Sequence, residues 1–212
     1  TDRSEYRAVV NIGGIANITI LPPDSDKAIV GFDSGPGNIL MDAWIQKHHS
    51  SSFDRDGRWA ETGQVSTALL QTLLQTDYLK LPAPKSTGRE LFNLEWLEPQ
   101  LEGGVIAAED VQSTLLEFTA RSITEALSSQ GTECDRLLVC GGGANNTLLM
   151  RRLSHLLDIP VESTGRHGLP PEWVEAAAFA WFALLALEQR TSFTPPVTGA
   201  AHPVVLGAIY PA

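Results

Sequence analysis

Positive charge, cysteine and long apolar runs are all scarce in this sequence. Fifteen Lys and Arg stand against 25 Asp and Glu, a formal net charge of −10. That balance excludes the broad basic surface by which proteins hold nucleic-acid backbones. It leaves room for a phosphate site, because backbone N–H groups bind phosphate without side-chain charge. The two cysteines, Cys134 and Cys140, have no further partner at metal-ligand spacing; they read as free thiols in a reducing cytoplasm. The five histidines form no HxxxH pair, so no protein-held metal is expected. No stretch reaches the ~20 consecutive apolar residues of a membrane helix, and neither a span nor a signal peptide is expected.

What is present describes a globular protein: 212 residues, 43% hydrophobic and 19% charged, enough for a substantial core. The chain opens at Thr1 and soon enters Ala8-Val9-Val10. It reads as cut just ahead of a strand, with a processed terminus as the alternative. Tyr6 to Ile12 and Ile15 to Leu21 are rich in β-formers and flank Gly13-Gly14, predicting a hairpin with a tight two-residue turn. Pro22-Pro23-Asp24 breaks the second strand, and a third runs from Ala28 to Phe32. A helix from cap residue Asn38 to His49 follows, with Leu40, Met41, Trp44, Ile45 and His48 on one side.

Residues 50–63 read as a loop, and Ser66 caps a helix carried through Tyr78. Residues 81–104 read as an extended excursion. A long helix over Glu109 to Ser129 buries Val111, Leu115, Phe118, Ile123 and Leu127. Then come a strand (Arg136 to Cys140), a helix (Thr147 to Leu157, capped by Asn146), a short strand (Val161 to Ser163) and an alanine-rich helix opened by Pro170-Pro171. The order predicts an α/β fold whose mixed sheet is flanked by helices.

Two glycine turns and two carboxylates are the candidate chemistry. Gly13-Gly14 either closes a hairpin or lets backbone N–H groups approach a phosphate, with Asn17 just beyond. Gly141-Gly142-Gly143-Ala144-Asn145-Asn146 joins a strand to a helix, where ligands press against bare backbone. It is neither a Walker A loop nor a dinucleotide fingerprint. Asp33, at a strand's expected end, suits either a general base or an Asx turn. Glu172 and Glu175 fall in the first turn of the last helix, where the dipole favours them; Glu175 faces either a cleft or solvent. Of the histidines, only His167 is placed to touch a ligand.

Five motifs in order carry a family resemblance. Val10 through Thr19 resembles the second phosphate motif of anhydro-N-acetylmuramic acid kinases. Gly31-Phe32-Asp33-Ser34-Gly35-Pro36-Gly37-Asn38 with Asp42-Ala43-Trp44 is similar to the next signature. So are Pro84 to Glu90 with Phe92-Asn93, Cys140 to Asn146, and Glu175-Ala176 with Ala178-Phe179-Ala180. The resemblance covers the whole chain and implies an actin/hexokinase-like (ribonuclease H-like) lobe of the acetate and sugar kinase/Hsp70/actin superfamily. It implies the C-terminal lobe of a two-lobe enzyme, residues 1–212, without the N-terminal lobe that holds the first phosphate loop, and therefore a piece inactive alone.

By the same resemblance, ATP and Mg²⁺ convert 1,6-anhydro-N-acetylmuramic acid and water to N-acetylmuramic acid 6-phosphate during cell-wall recycling. The implied enzyme is a cytoplasmic homodimer. Asp33 resembles the catalytic base and Glu175 a sugar contact. Gly13, Gly14 and Asn17 would line the phosphates, and Gly141, Gly142, Gly143 and Asn145 the adenosine. Ser34 stands where the family often has threonine. The alternative is an actin/Hsp70-like ATP-binding lobe with a conformational or scaffold role.

Overall fold

Alternating burial sets the first two strands. In the computed structural model, which describes residues 4–23, 27–101, 104–131, 134–192, 195–198 and 200–210, β1 (Arg7–Ile12) buries Ala8, Val10 and Ile12. Likewise β2 (Ile15–Leu21) buries Ala16, Ile18 and Ile20. The strands pair antiparallel with Ile12 opposite Ala16, so three residues close the hairpin, where the sequence predicts two. Neither Gly13 nor Gly14 has a positive φ. Their carbonyls turn away from the hairpin and accept hydrogen bonds from the segment at residues 37–39, which explains the wider turn.

Strand β3 (Val30–Pro36) runs past the expected end at Phe32 and takes Asp33 into the sheet. Pairing with β2 continues across a bulge at Ala16/Asn17, matching Asn17 with Asp33 and Ile15 with Pro36. Ladder bonds thus outweigh the turn preference of Gly35-Pro36, and Pro36 is tolerated because β3 is an edge strand. On the other side β4 (Arg136–Cys140) pairs parallel with β1, and β5 (Val161–Ser163) parallel with β4. The sheet order is β3-β2-β1-β4-β5, the mixed sheet expected.

The helices are α1 (Ile39–His49), α2 (Thr67–Leu74), α3 (Leu94–Leu97), α4 (Ala108–Ser128), α5 (Thr147–Leu157), α6 (Val174–Leu187) and α7 (Pro195–Thr198). All five expected apolar residues of α4 are buried, each worth about 1.5–3 kcal/mol relative to exposure. They join α1, α2, α5 and the apolar sheet face in one core. His48 departs from the expected α1 stripe: it is exposed, its ring 4.2 Å from that of Trp44.

Helix α2 is capped by Ser66, whose hydroxyl accepts from the Leu69 N–H. It stops at Leu74 instead of Tyr78, because Thr76 turns extended and its hydroxyl donates to the Leu73 carbonyl at 2.6 Å. Residues 50–63 and the described part of 81–104 are more folded than expected. They contain short helical turns and bury Asp54, Ala60, Phe92 and Leu97. Both segments gain partners far along the chain: Gln112 reaches Asp54, and Phe92 packs in edge contact with Tyr78, Trp96 and Phe118. Asp24 and residues 102–103 lie outside the described residues. The turn Pro171–Trp173 precedes α6, so Glu172 sits before the helix and only Glu175 lies in its first turn.

Candidate functional site

The hairpin tip and the start of α1 are built as one unit. Gly14 O accepts from Gly37 N (2.8 Å) and Ile39 N (3.1 Å), and Gly13 O accepts from Asn38 N (2.8 Å). These bonds satisfy α1's first donors, which otherwise lack partners at a helix start. Asn38 therefore does not cap α1 with its side chain; its Nδ2 donates to Ile12 O at 3.1 Å. Residue 37 must be glycine, since a Cβ there would collide with Gly13 O and sit 3.2 Å from Ala16 N. No such demand falls on Gly13 or Gly14, where the nearest atoms to an added Cβ lie 3.7 and 3.8 Å away. Gly14 is exposed and Gly13 half-buried.

The second glycine turn lies against the first, because β1 and β4 are neighbours with Asn11 opposite Cys140. Gly141 has φ +75°, and a Cβ there would meet Asn11 Oδ1 and Ile12 O. Its N–H is spent on Pro171 O at 3.1 Å, which ties the approach to α6 to this turn. Gly143 is buried against Ile12. Gly142 and Asn145 remain exposed and line a cavity of about 600 Å³ together with Asn38, Met41 and Asp42 of the α1 start. Residues 52–56 complete the lining.

Asp33 stands on the same edge of the sheet. Asn11 faces Asn17 in one ladder and Asn17 faces Asp33 in the next, so the three side chains share one face in a row across the strands. With strands about 4.8 Å apart, Asp33 is about 10 Å from Asn11, which touches the Gly141 turn. Its Oδ2 accepts from Ser86 Oγ (3.0 Å) and Thr87 N (2.9 Å). Its backbone is clamped as well: N donates to Lys85 O (3.0 Å), and O accepts from the Tyr78 hydroxyl (2.8 Å). Lys85 Nζ in turn donates to the carbonyls of Tyr78 and Leu79. Burial pulls the Lys85 ammonium below its usual range. Burial, then the Asp33 charge, raises the Tyr78 hydroxyl and keeps it a donor. The Asx-turn alternative does not describe this carboxylate, whose partners lie more than 50 positions away.

Electrostatics single out another cavity residue. Burial, and then the charge of Asp54, push the Asp42 carboxyl up to about 6. Asp54 itself is 8% exposed and satisfied, accepting from Trp59 N, Ala60 N and Gln112 Nε2.

Other sequence candidates fall elsewhere. Glu175 is exposed and outside the cavity wall, one turn beyond Pro171. His167 Nε2 lies 3.0 Å from Glu162 Oε2, in a cluster with Arg136 and Arg166. Burial first of all raises both thiols, that of Cys140 to about 11. Among the described residues there is no group of three or more His, Cys, Asp or Glu able to hold a metal, and no helix long and apolar enough to cross a membrane. Asn11, Asn38, Asp42, Ser86 and Thr87 carry roles in this geometry that residue type alone did not assign. All five lie inside or beside the quoted motifs, which was the available signal.

A family model described as anhydro-N-acetylmuramic acid kinase matches residues 1–212. The chain belongs to the anhydro-N-acetylmuramic acid kinase family. An anhydro-N-acetylmuramic acid kinase of Pseudomonas paraeruginosa (strain DSM 24068 / PA7) is 52% identical over 213 residues, covering 100% of this chain and 58% of that relative. One from Xanthomonas axonopodis pv. citri (strain 306) is 50% identical over 209 residues, covering 98% and 55%. The chain thus spans a little over half the length of these anhydro-N-acetylmuramic acid kinases and matches their C-terminal portion. Among solved structures, the activator of the 2-hydroxyisocaproyl-CoA dehydratase from Clostridium difficile, with bound ADPNP, aligns at TM-score 0.51 and 13% identity over 80% of this chain and 56% of that one. That likeness establishes the fold, an actin/Hsp70-like ATPase fold.

Proposed function

We propose that this chain is the nucleotide-holding lobe of an ATP-dependent kinase. The enzyme opens 1,6-anhydro-N-acetylmuramic acid with water and phosphorylates O6, giving N-acetylmuramic acid 6-phosphate for cell-wall recycling in the cytoplasm. One observation carries the reading: a clamped carboxylate, an exposed glycine tip and a cavity follow one another along one end of the sheet, joined through Asn17 and Asn38.

In this reading the triphosphate meets the N–H groups of Gly13 and Gly14 near Asn17, and the nucleoside enters the cavity beside Gly142 and Asn145. Gly141 and Gly143 shape that turn from behind. Asp33, held through Oδ2, takes the proton from a water whose oxygen bonds to the anomeric carbon. The C1–O6 bond breaks, O6 takes the γ-phosphoryl group, and ADP leaves. Mg²⁺ bound with the phosphates would supply charge neutralisation; among the described residues no group of three or more His, Cys, Asp or Glu could hold a metal on its own.

Helix α6 supports a two-lobe enzyme. It is apolar all round yet exposed, with Phe179 at 66%, Trp181 at 50% and Leu187 at 69%; a helix of that composition is normally covered. The rest of the longer protein covers it and brings the sugar to Glu175, so that turnover needs both lobes. The homodimer implied by resemblance belongs to the same proposal, and sedimentation of the whole protein tests it. ADP release by the whole protein, with and without the anhydro sugar, tests the activity. Sugar-dependent release is expected; ATP turnover indifferent to the sugar would instead favour a conformational ATPase.

A further inference from the structure

We infer that Asp42 holds the ribose of the bound nucleotide, its carboxylate accepting hydrogen bonds from the 2′- and 3′-hydroxyls and so selecting ribonucleotides. The inference rests on reading the cavity as the nucleoside pocket.

Position comes first. Asn38 is bound to the hairpin tip through its N–H, and Asp42 lies four residues further on in α1. At 1.5 Å per residue this is about 6 Å along the helix from Asn38, where a sugar would follow phosphates held at the tip. Asp42 lines the cavity.

The second argument is what each acceptor already does. Both Asp54 oxygens are occupied, Asp56 pairs with Arg58 at 3.3 Å, and Asn146 Oδ1 caps α5. Among the described residues no donor reaches the Asp42 carboxylate. Asp42 is half-buried, so its carboxylate is partly desolvated without a protein donor, a cost that is offset when a ligand donates to it. Asp54, Asp56 and Arg55 line the same cavity; burial and then the Asp54 charge raise the Asp42 carboxyl only to about 6, so at neutral pH it is still mostly an ionised acceptor.

Ligand chemistry then narrows the choice. A carboxylate repels phosphate and so faces the uncharged part of a nucleotide. Its two oxygens match the two donors of a vicinal diol. The Phe53 ring, 5.4 Å from the Arg55 guanidinium, gives the same cavity a flat surface for a base.

The test compares the affinity of the whole protein for ATP and for 2′,3′-dideoxy-ATP. The wild type is expected to prefer ATP at least tenfold, and Asp42→Ala to bind both equally weakly. Asp42→Asn, isosteric and so the safer fold, is expected to narrow the preference while keeping Tm at or above wild type. Equal affinities in the wild type, or an undiminished preference in both variants, would overturn the role of Asp42 while ATP binding upheld the pocket. A wild-type protein that binds no ATP would overturn both.

Discussion

Gly13→Ala separates a glycine required by the fold from one required by a ligand. An added Cβ meets only Ile15 O at 3.7 Å, an ordinary contact, and φ is not positive. Such a replacement reduces the freedom of the unfolded chain and is expected to stabilise by about 0.4–1 kcal/mol. A phosphate resting on the tip has no such tolerance, and a methyl group beside it should weaken ATP at least tenfold, roughly 1.4 kcal/mol. Urea unfolding gives the first number and calorimetric titration of the whole protein with ATP the second. Stability rising while affinity falls is the expected signature. Unchanged ATP affinity would refute the phosphate contact; a loss of stability beyond about 1 kcal/mol would show that the fold itself demands glycine.

Further expectations follow from the same geometry. Gly37→Ala puts a Cβ into Gly13 O and disturbs three tip-to-helix hydrogen bonds; at about 0.5–1.5 kcal/mol each, urea unfolding should register a loss of about 1.5–4.5 kcal/mol. Asp33→Asn should cut sugar-dependent ADP release by several orders of magnitude with ATP affinity preserved, as steady-state rates and titration together would reveal. Ser86→Ala removes one of the two donors on Asp33 Oδ2 and is expected to lower kcat by about tenfold with little change in KM for ATP, since a hydrogen bond to a charged group is worth about 1.5–3 kcal/mol. For pH, the folded Asp42 carboxyl titrates near 6, above the ~3.9 of an unfolded chain. The fold therefore binds the extra proton, and Asp42 costs stability as pH rises from about 4 to 6. Chemical denaturation of both proteins across that range should show the stability of the wild type relative to Asp42→Asn falling as pH rises from about 4 to 6; a difference that stays flat would contradict it.

Strands and long helices were legible because burial periodicity alone determines them: β1, β2 and the α4 stripe follow the alternation and helical spacing of their apolar residues. What was hidden depends on partners distant in sequence. Gly35 and Pro36 lie beyond the expected end of the third strand at Phe32, yet the β2 ladder holds them in β3. Phe92 and Leu97 sit in a proline- and glycine-bearing stretch that reads as extended, and become core because distant helices pack there: Phe92 meets Phe118 of α4, and α3, which carries Leu97, packs on α1. For the site, residue types marked the glycine turns and Asp33. They could not reveal that Ser86 and Thr87 fold back on Asp33, or that α1's first N–H groups close on the hairpin tip. The three glycines of the second turn look alike in sequence and separate only in space, two serving backbone fit and Gly142 facing the cavity.

The most direct measurement is a crystal structure of the whole protein with a non-hydrolysable ATP analogue and the anhydro sugar. The account predicts phosphates on the Gly13-Gly14 tip, the nucleoside beside Gly142 and Asp42, and Asp33 one water away from the anomeric carbon. A nucleotide bound elsewhere, or an Asp33 carboxylate turned from the sugar, would contradict it.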